Sequence, residues 1–304
     1  MRATFHCWLL LALFPLTVQS QQETRGAESE HGTCAVFMQN GENDAFVIDS
    51  VTTLLLDSGS VAGTKLTCKV WPQRPSMIAA ILGHSVIHGV WNGQESARSA
   101  LARISNPADG RQVDAALKHW SSELLGSLRG NYKGPDGLVS LLFVAYRTGG
   151  HTYVALEEVD SLNHKPRLSA KSARVLLQPD GFLIQNFGVC DDFLRIDNLK
   201  MHGSISRSES EQIERLLLIA ASSTLIHSSP ELGNSALSVE KSLVDITQKY
   251  GDKTGEKIEV GPPYQLATLE AGSEQWVTKF EPPCAEPNGP AASSLTRRPA
   301  QPPQ

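Results

Sequence analysis

Among the residues able to do chemistry, Gly32-Thr33-Cys34 stands out, because a glycine and a threonine sit at the mouth of an apolar, β-branched run. A threonine hydroxyl is a weak nucleophile unless a base lies beside it. If the chain is cut after Gly32, Thr33 carries that base itself, as a free α-amine of pKa about 8, roughly two units below a lysine. Taken alone, the same residue reads as a strand-edge threonine, since threonine favours strands. His84 and His88 are four apart and could share a helix face as paired metal ligands do. No glutamate lies between them and no third ligand is evident, so they read as ordinary histidines. Cys190-Asp191-Asp192 reads as a loop cysteine with two solvated acids rather than a cation site. Gly59-Ser60 and Gly203-Ser204 lack a strand–turn–helix setting, and no phosphate-binding glycine loop occurs. The pattern calls for no cofactor and no metal.

The leader sets the compartment. Arg2 followed by the apolar run Cys7–Val18 and the Val18-Gln19-Ser20 cleavage signal makes residues 1–20 a secretory signal peptide. That run is too short for a bilayer core of about 30 Å. No later segment has the length to insert stably, so the expected location is secreted or periplasmic. Residues 21–32 are polar without apolar periodicity, which fits either a propeptide that blocks Thr33 or a plain spacer. Cys7 leaves with the leader. Cys34, Cys68, Cys190 and Cys284 then meet an oxidising compartment, where one or two disulfides can form and three pairings are open. A net charge of −5 with no basic block argues against a nucleic-acid partner.

The elements that must position Thr33 follow from periodicity. Thr33–Gln39 and Asp44–Ser50 are apolar runs around Asn40-Gly41-Glu42-Asn43, good turn chemistry for a hairpin. Leu66–Trp71 and Met77–Leu82 read as strands, and Leu138–Tyr146 with Tyr153–Val159 as another hairpin. Ala97, Ala100, Leu101 and Ile104 fit one helix, and Val113, Leu117, Trp120, Leu124 and Leu128 fit a second. Short strands are expected at Arg174–Leu177 and Phe182–Gln185, helices at Glu209–Ile226 and Ser238–Lys249. A last strand pair is expected at Gln265–Leu269 and Gln275–Lys279. Strand and helix blocks cluster rather than alternate singly. That order suits an α+β chain, two antiparallel sheets stacked face to face with helices outside.

At four stretches the chain resembles the proteasome β-subunit family and its bacterial relatives, which are N-terminal nucleophile (Ntn) hydrolases. They are Gly32-Thr33-Cys34-Ala35-Val36, Phe46-Val47-Ile48-Asp49-Ser50, Lys69-Val70 with Ile78–Gly83, and Gly255–Val260 through Gln265–Leu269. The resemblance is diffuse and spans roughly residues 32–272. It implies a four-layer αββα sandwich and a threonine freed by self-cleavage after glycine. Thr33 would be the nucleophile and Asp49 would orient and compensate the site lysine. Lys69 would favour the deprotonated threonine electrostatically, and Gly83 would present a backbone N–H to the developing oxyanion. Val51 stands where the family usually has arginine, and Lys65 rivals Lys69 for the lysine role. Asp191, Asp192 and Ser204 are unranked candidates for the family's later serine and aspartate.

Two functions are therefore expected from different classes. One is a threonine hydrolase cutting peptides or small amides after self-processing at Gly32-Thr33; the other is a non-catalytic scaffold or binding protein of the same fold. The expected layout is residues 1–20 leader, 21–32 propeptide, 33–280 domain and 281–304 a disordered Pro-rich tail. A ring fed by an ATP-driven unfoldase has no fuel outside the cytoplasm, so a monomer or small oligomer is expected.

Overall fold

The turn at Asn40-Gly41-Glu42-Asn43 folds as its residues dictate: Gly41 takes φ +61, and strand β2 (Cys34–Asn40) returns as β3 (Asn43–Asp49). The computed structural model describes residues 29–56, 61–128, 139–161, 168–177, 182–188, 229–254 and 260–280. Over these the chain is mixed α+β, with its strands paired antiparallel.

The β2–β3 hairpin lies inside a five-stranded sheet. Its order is β13 (Phe182–Gly188), β2, β3, β14 (Tyr264–Leu269) and β15 (Trp276–Phe280). A second sheet runs β12 (Leu168–Leu176), β11 (His151–Ser161), β10 (Val139–Thr148), β7 (Met77–Gly83) and β6 (Val70–Arg74). Alternate residues of a strand point to opposite faces, and in the central strands β2, β3, β7 and β10 both faces are buried. Phe37, Phe46 and Ile48 of the first sheet share one core with Ile78, Phe143 and Ala145 of the second, Phe46 and Phe143 stacking at 4.4 Å.

The outer faces take the helices. Met77, Ala79, Ile81 and Leu142 pack against α1 (Gly93–Ala102) and α2 (Gly110–Leu128), through Leu101, Leu117 and Trp120. Val36, Met38 and Val47 pack against α3 (Ser229–Thr254), through Leu232, Ala236 and Val239. Burial on both faces is why these strands read as continuous apolar runs rather than alternating ones.

A third sheet carries the short strands β5 (Val61–Leu66), β4 (Val51–Leu55), β1 (Ser29–His31), β8 (Val86–Ile87) and β9 (Trp91–Asn92), in that order. Several expectations change here. The stretch Leu66–Trp71 is not one strand: β5 ends at Leu66 and β6 begins at Val70, leaving a short connection that carries Lys69. Pro72 is tolerated inside β6 because that strand is a sheet edge. Beyond Asp49, strands β4 and β5 pair antiparallel. His84 and His88 flank strand β8 and share no helix face. The expected helix Ser238–Lys249 lies within the longer α3. The leader, the Pro-rich tail, the expected helix Glu209–Ile226, and Asp191, Asp192 and Ser204 lie outside the described residues. No helix among the described residues is long and apolar enough to cross a membrane.

Candidate functional site

The hairpin does the first part of the assembly. With Ala35 opposite Ile48, the register carries Cys34 to the level of Asp49, and the Cys34 N–H donates to Asp49 Oδ1 at 2.8 Å. Thr33 and Asp49 are thus neighbours because the turn is tight, sixteen residues apart in sequence. The connection before β6 then delivers Lys69. Its Nζ donates to Asp49 Oδ1 at 3.0 Å, to the Gly32 carbonyl at 2.7 Å, and to the Val51 carbonyl. Of the two lysines in contention, Lys69 is the one brought to Thr33. Lys65 points elsewhere, to Glu30, at 2.5 Å.

Thr33 is buried, and its Oγ1 donates to the Gly32 carbonyl oxygen at 2.5 Å. That oxygen therefore receives two donors, the threonine hydroxyl and the lysine ammonium. Gly32 holds φ +100, a conformation that a residue with a Cβ adopts only at a cost. Gly32→Ala should therefore destabilise this bend by about 1–3 kcal/mol, read as a lower urea midpoint at unchanged slope.

Gly83 ends β7 with φ +76, and its tie to the site is indirect. Two residues on, the Ser85 N–H donates to the Glu30 carbonyl at 2.9 Å, joining this chain end to the strand that leads into Thr33.

Gln265, fully buried on β14, fastens the parts. Its Oε1 accepts from the backbone N–H groups of Lys69 and Val70 at 2.9 and 3.0 Å. Its Nε2 donates to Ser50 Oγ at 2.7 Å and to the Thr67 carbonyl at 3.0 Å. One amide thus locks the lysine-bearing segment to the end of the aspartate strand.

The electrostatics are those of a dry site. Burial pushes the Asp49 carboxyl up, while Lys69 and the Cys34 and Gly261 N–H groups pull it back. Burial pulls Lys69 down from the ordinary lysine range, with Asp49 opposing. Burial of both groups makes the pair's attraction strong and makes either partner costly alone. Glu240 of α3 is the residue sequence reasoning missed. It is fully buried, and its carboxyl is held well above the usual range by burial first and then by the negative Asp49, with Lys69 offsetting. Neither Glu240 oxygen makes a well-formed hydrogen bond among the described residues. A glutamate inside an amphipathic helix carries no signal of its own. Only its place on the buried face of Ser238–Lys249, between Val239 and Leu243, could have flagged it.

Cys34 and Cys68, next to Thr33 and Lys69 in sequence, are both disulfide-bonded. No group of three or more potential metal ligands gathers among the described residues. No protein-family model matches the chain, and no curated protein matches it.

Proposed function

We propose that this chain is a secreted, self-processing threonine hydrolase of the Ntn type, with a proteasome β-like four-layer αββα fold, that cuts peptide or small amide bonds. The observation that carries the reading is the Gly32 carbonyl oxygen, which accepts from Thr33 Oγ1 and from an Asp49-paired Lys69 at once. The paired sheets, their outer helices and the disulfide-bonded Cys34 and Cys68 support the fold and the oxidising compartment.

The chemistry follows from the atoms. Thr33 Oγ turns from the Gly32 oxygen to the Gly32 carbonyl carbon and forms the new C–O bond. The Lys69 ammonium meets the negative charge that develops on the oxygen, an arrangement worth most in a water-poor site. The C–N bond between Gly32 and Thr33 breaks, and the hydroxyl proton ends on the Thr33 nitrogen. Water then hydrolyses the ester, releasing a carboxylate at Gly32 and restoring the Thr33 hydroxyl. The freed α-amine becomes the base for later substrates. Gly83 is assigned the N–H that faces a substrate's oxyanion, and the working form is a monomer or small oligomer.

Intact mass and N-terminal sequencing of the secreted protein test this. Wild type should begin at Thr33, whereas Thr33→Ala should keep residue 32 joined to residue 33. Wild type and variant both intact at that bond, and equally inert on peptide amides, would remove the enzyme. The second reading, a non-catalytic scaffold of the same fold, would then stand. It is favoured by one observation: Ser29–His31 is hydrogen-bonded along both edges, to β4 and to β8, as a retained extension would be.

A further inference from the structure

The strand that leads into Gly32 is held by its charge as well as by its backbone. Strand β1 pairs Glu30 with Leu54 on one side and Val86 on the other, and the Glu30 carbonyl accepts from Ser85. Those bonds are blind to side-chain identity. The Glu30 side chain is not. It is buried to 2% exposure in the middle of a sheet, yet it is a carboxylate, which is costly unless paired. Two side chains meet it from opposite sides. Lys65 Nζ, from β5 beyond β4, lies 2.5 Å from Oε1, and His88 Nε2, from the turn after β8, lies 3.2 Å from the same oxygen. Both are about half exposed, at 42% and 48%, so the buried carboxylate is met by side chains that themselves reach water.

We infer that the place held by the Glu30 side chain selects an acidic residue three positions before the bond to be cut, with Lys65 and His88 as the specificity residues. The inference rests on the reading of Thr33 as a self-processing nucleophile, which makes Ser-Glu-His-Gly the first sequence that the site handles. Once the segment leaves, β4 and β8 regain unpaired edges that accept an extended peptide by strand addition. The backbone contacts supply affinity. The Lys65 ammonium rewards a carboxylate and leaves a cationic substrate facing like charge, which is how charged sites discriminate. The substrate class is therefore an extended peptide of the form Glu-Xaa-Gly, and not peptides in general.

The test has two arms that separate this inference from the reading beneath it. In the first, processed wild type is given acetyl-Ser-Glu-His-Gly-aminomethylcoumarin and its counterparts with Gln or Lys in place of Glu. The Glu peptide should give kcat/KM at least tenfold above the isosteric Gln peptide, and Lys65→Glu should abolish or invert that order. Equal values for Glu and Gln peptides, with Gly32–Thr33 still cut, would overturn the inference and spare the reading. The second arm uses full-chain Thr33→Ala, in which the bond is intact. Amide hydrogen exchange over residues 29–31 should accelerate at least tenfold in Glu30→Gln or Lys65→Gln. The charge swap Glu30→Lys with Lys65→Glu should restore protection. Unchanged exchange in both single variants would overturn the charge selection at Glu30, whether or not the wild type processes itself.

Discussion

Lys69→Ala should leave the Gly32–Thr33 bond uncut and lower the unfolding free energy by about 3–5 kcal/mol, the usual cost of stranding one member of a buried ion pair. Asp49 is fully buried, and its remaining donors would be the Cys34 N–H at 2.8 Å and the Gly261 N–H at 3.3 Å. Glu240 also feels the charges of Asp49 and Lys69. Losing the cation also removes what holds the Asp49 carboxyl down, so its pKa rises further above the unfolded value. The sign of the pH dependence follows. A carboxyl raised in the folded state favours folding while protonated, so the deficit of Lys69→Ala should shrink in acid and grow as pH rises. Urea unfolding at pH 5 and pH 8 reads this directly. The double variant Asp49→Asn with Lys69→Met should recover most of the stability and none of the processing. Recovery of both would make the pair structural alone. Full stability and full processing in Lys69→Ala would remove the lysine from the site.

Asp44→Asn should make the protein more stable at pH 8 and little changed at pH 4. Asp44 is the second residue of the return strand β3 and is fully buried. Its Oδ2 accepts from Thr152 at 2.7 Å, while Oδ1 has no hydrogen-bond partner among the described residues. Burial pushes its pKa up to about 7, against the opposing pull of Thr152 and Arg147. The folded value lies above the ordinary carboxyl value, so the folded state binds the proton more tightly. Its contribution is full below about pH 4 and is lost as pH rises toward 7 and beyond. A gap of about 3 pH units at ~1.4 kcal/mol each sets the scale, about 4 kcal/mol. Asp49 and Glu240 tilt stability the same way, so the measurement is the difference between wild type and Asp44→Asn across the pH series. A constant difference from pH 4 to pH 8 would refute the assignment to Asp44.

The tight turn at Asn40–Asn43 was legible residue by residue, and with it the approach of Thr33 to Asp49. A short hairpin between apolar strands fixes its own register, so sequence alone determined that half of the site. The two helices after Gly93 and the doubly buried strands were equally readable, because a face packed against a sheet leaves a spacing of three and four, and a strand covered on both sides leaves an unbroken apolar run.

What tertiary structure decided is long-range. Lys65 and Lys69 are the same residue type four apart, and only the break between β5 and β6 sends one to Glu30 and the other to Asp49. Strand β1 has no apolar pattern to read, because its place in the third sheet comes from backbone hydrogen bonds that any sequence can make. Glu240 and Gln265 reach the site from segments about 190 to 215 residues beyond Ser50 and Asp49, where nothing local marks a buried polar residue as a partner. Local periodicity determined which segments are strands and helices. Which charges end up sharing the dry space beside Thr33 was decided by packing, since a buried charge is tolerated only where the assembled fold supplies its counterpart.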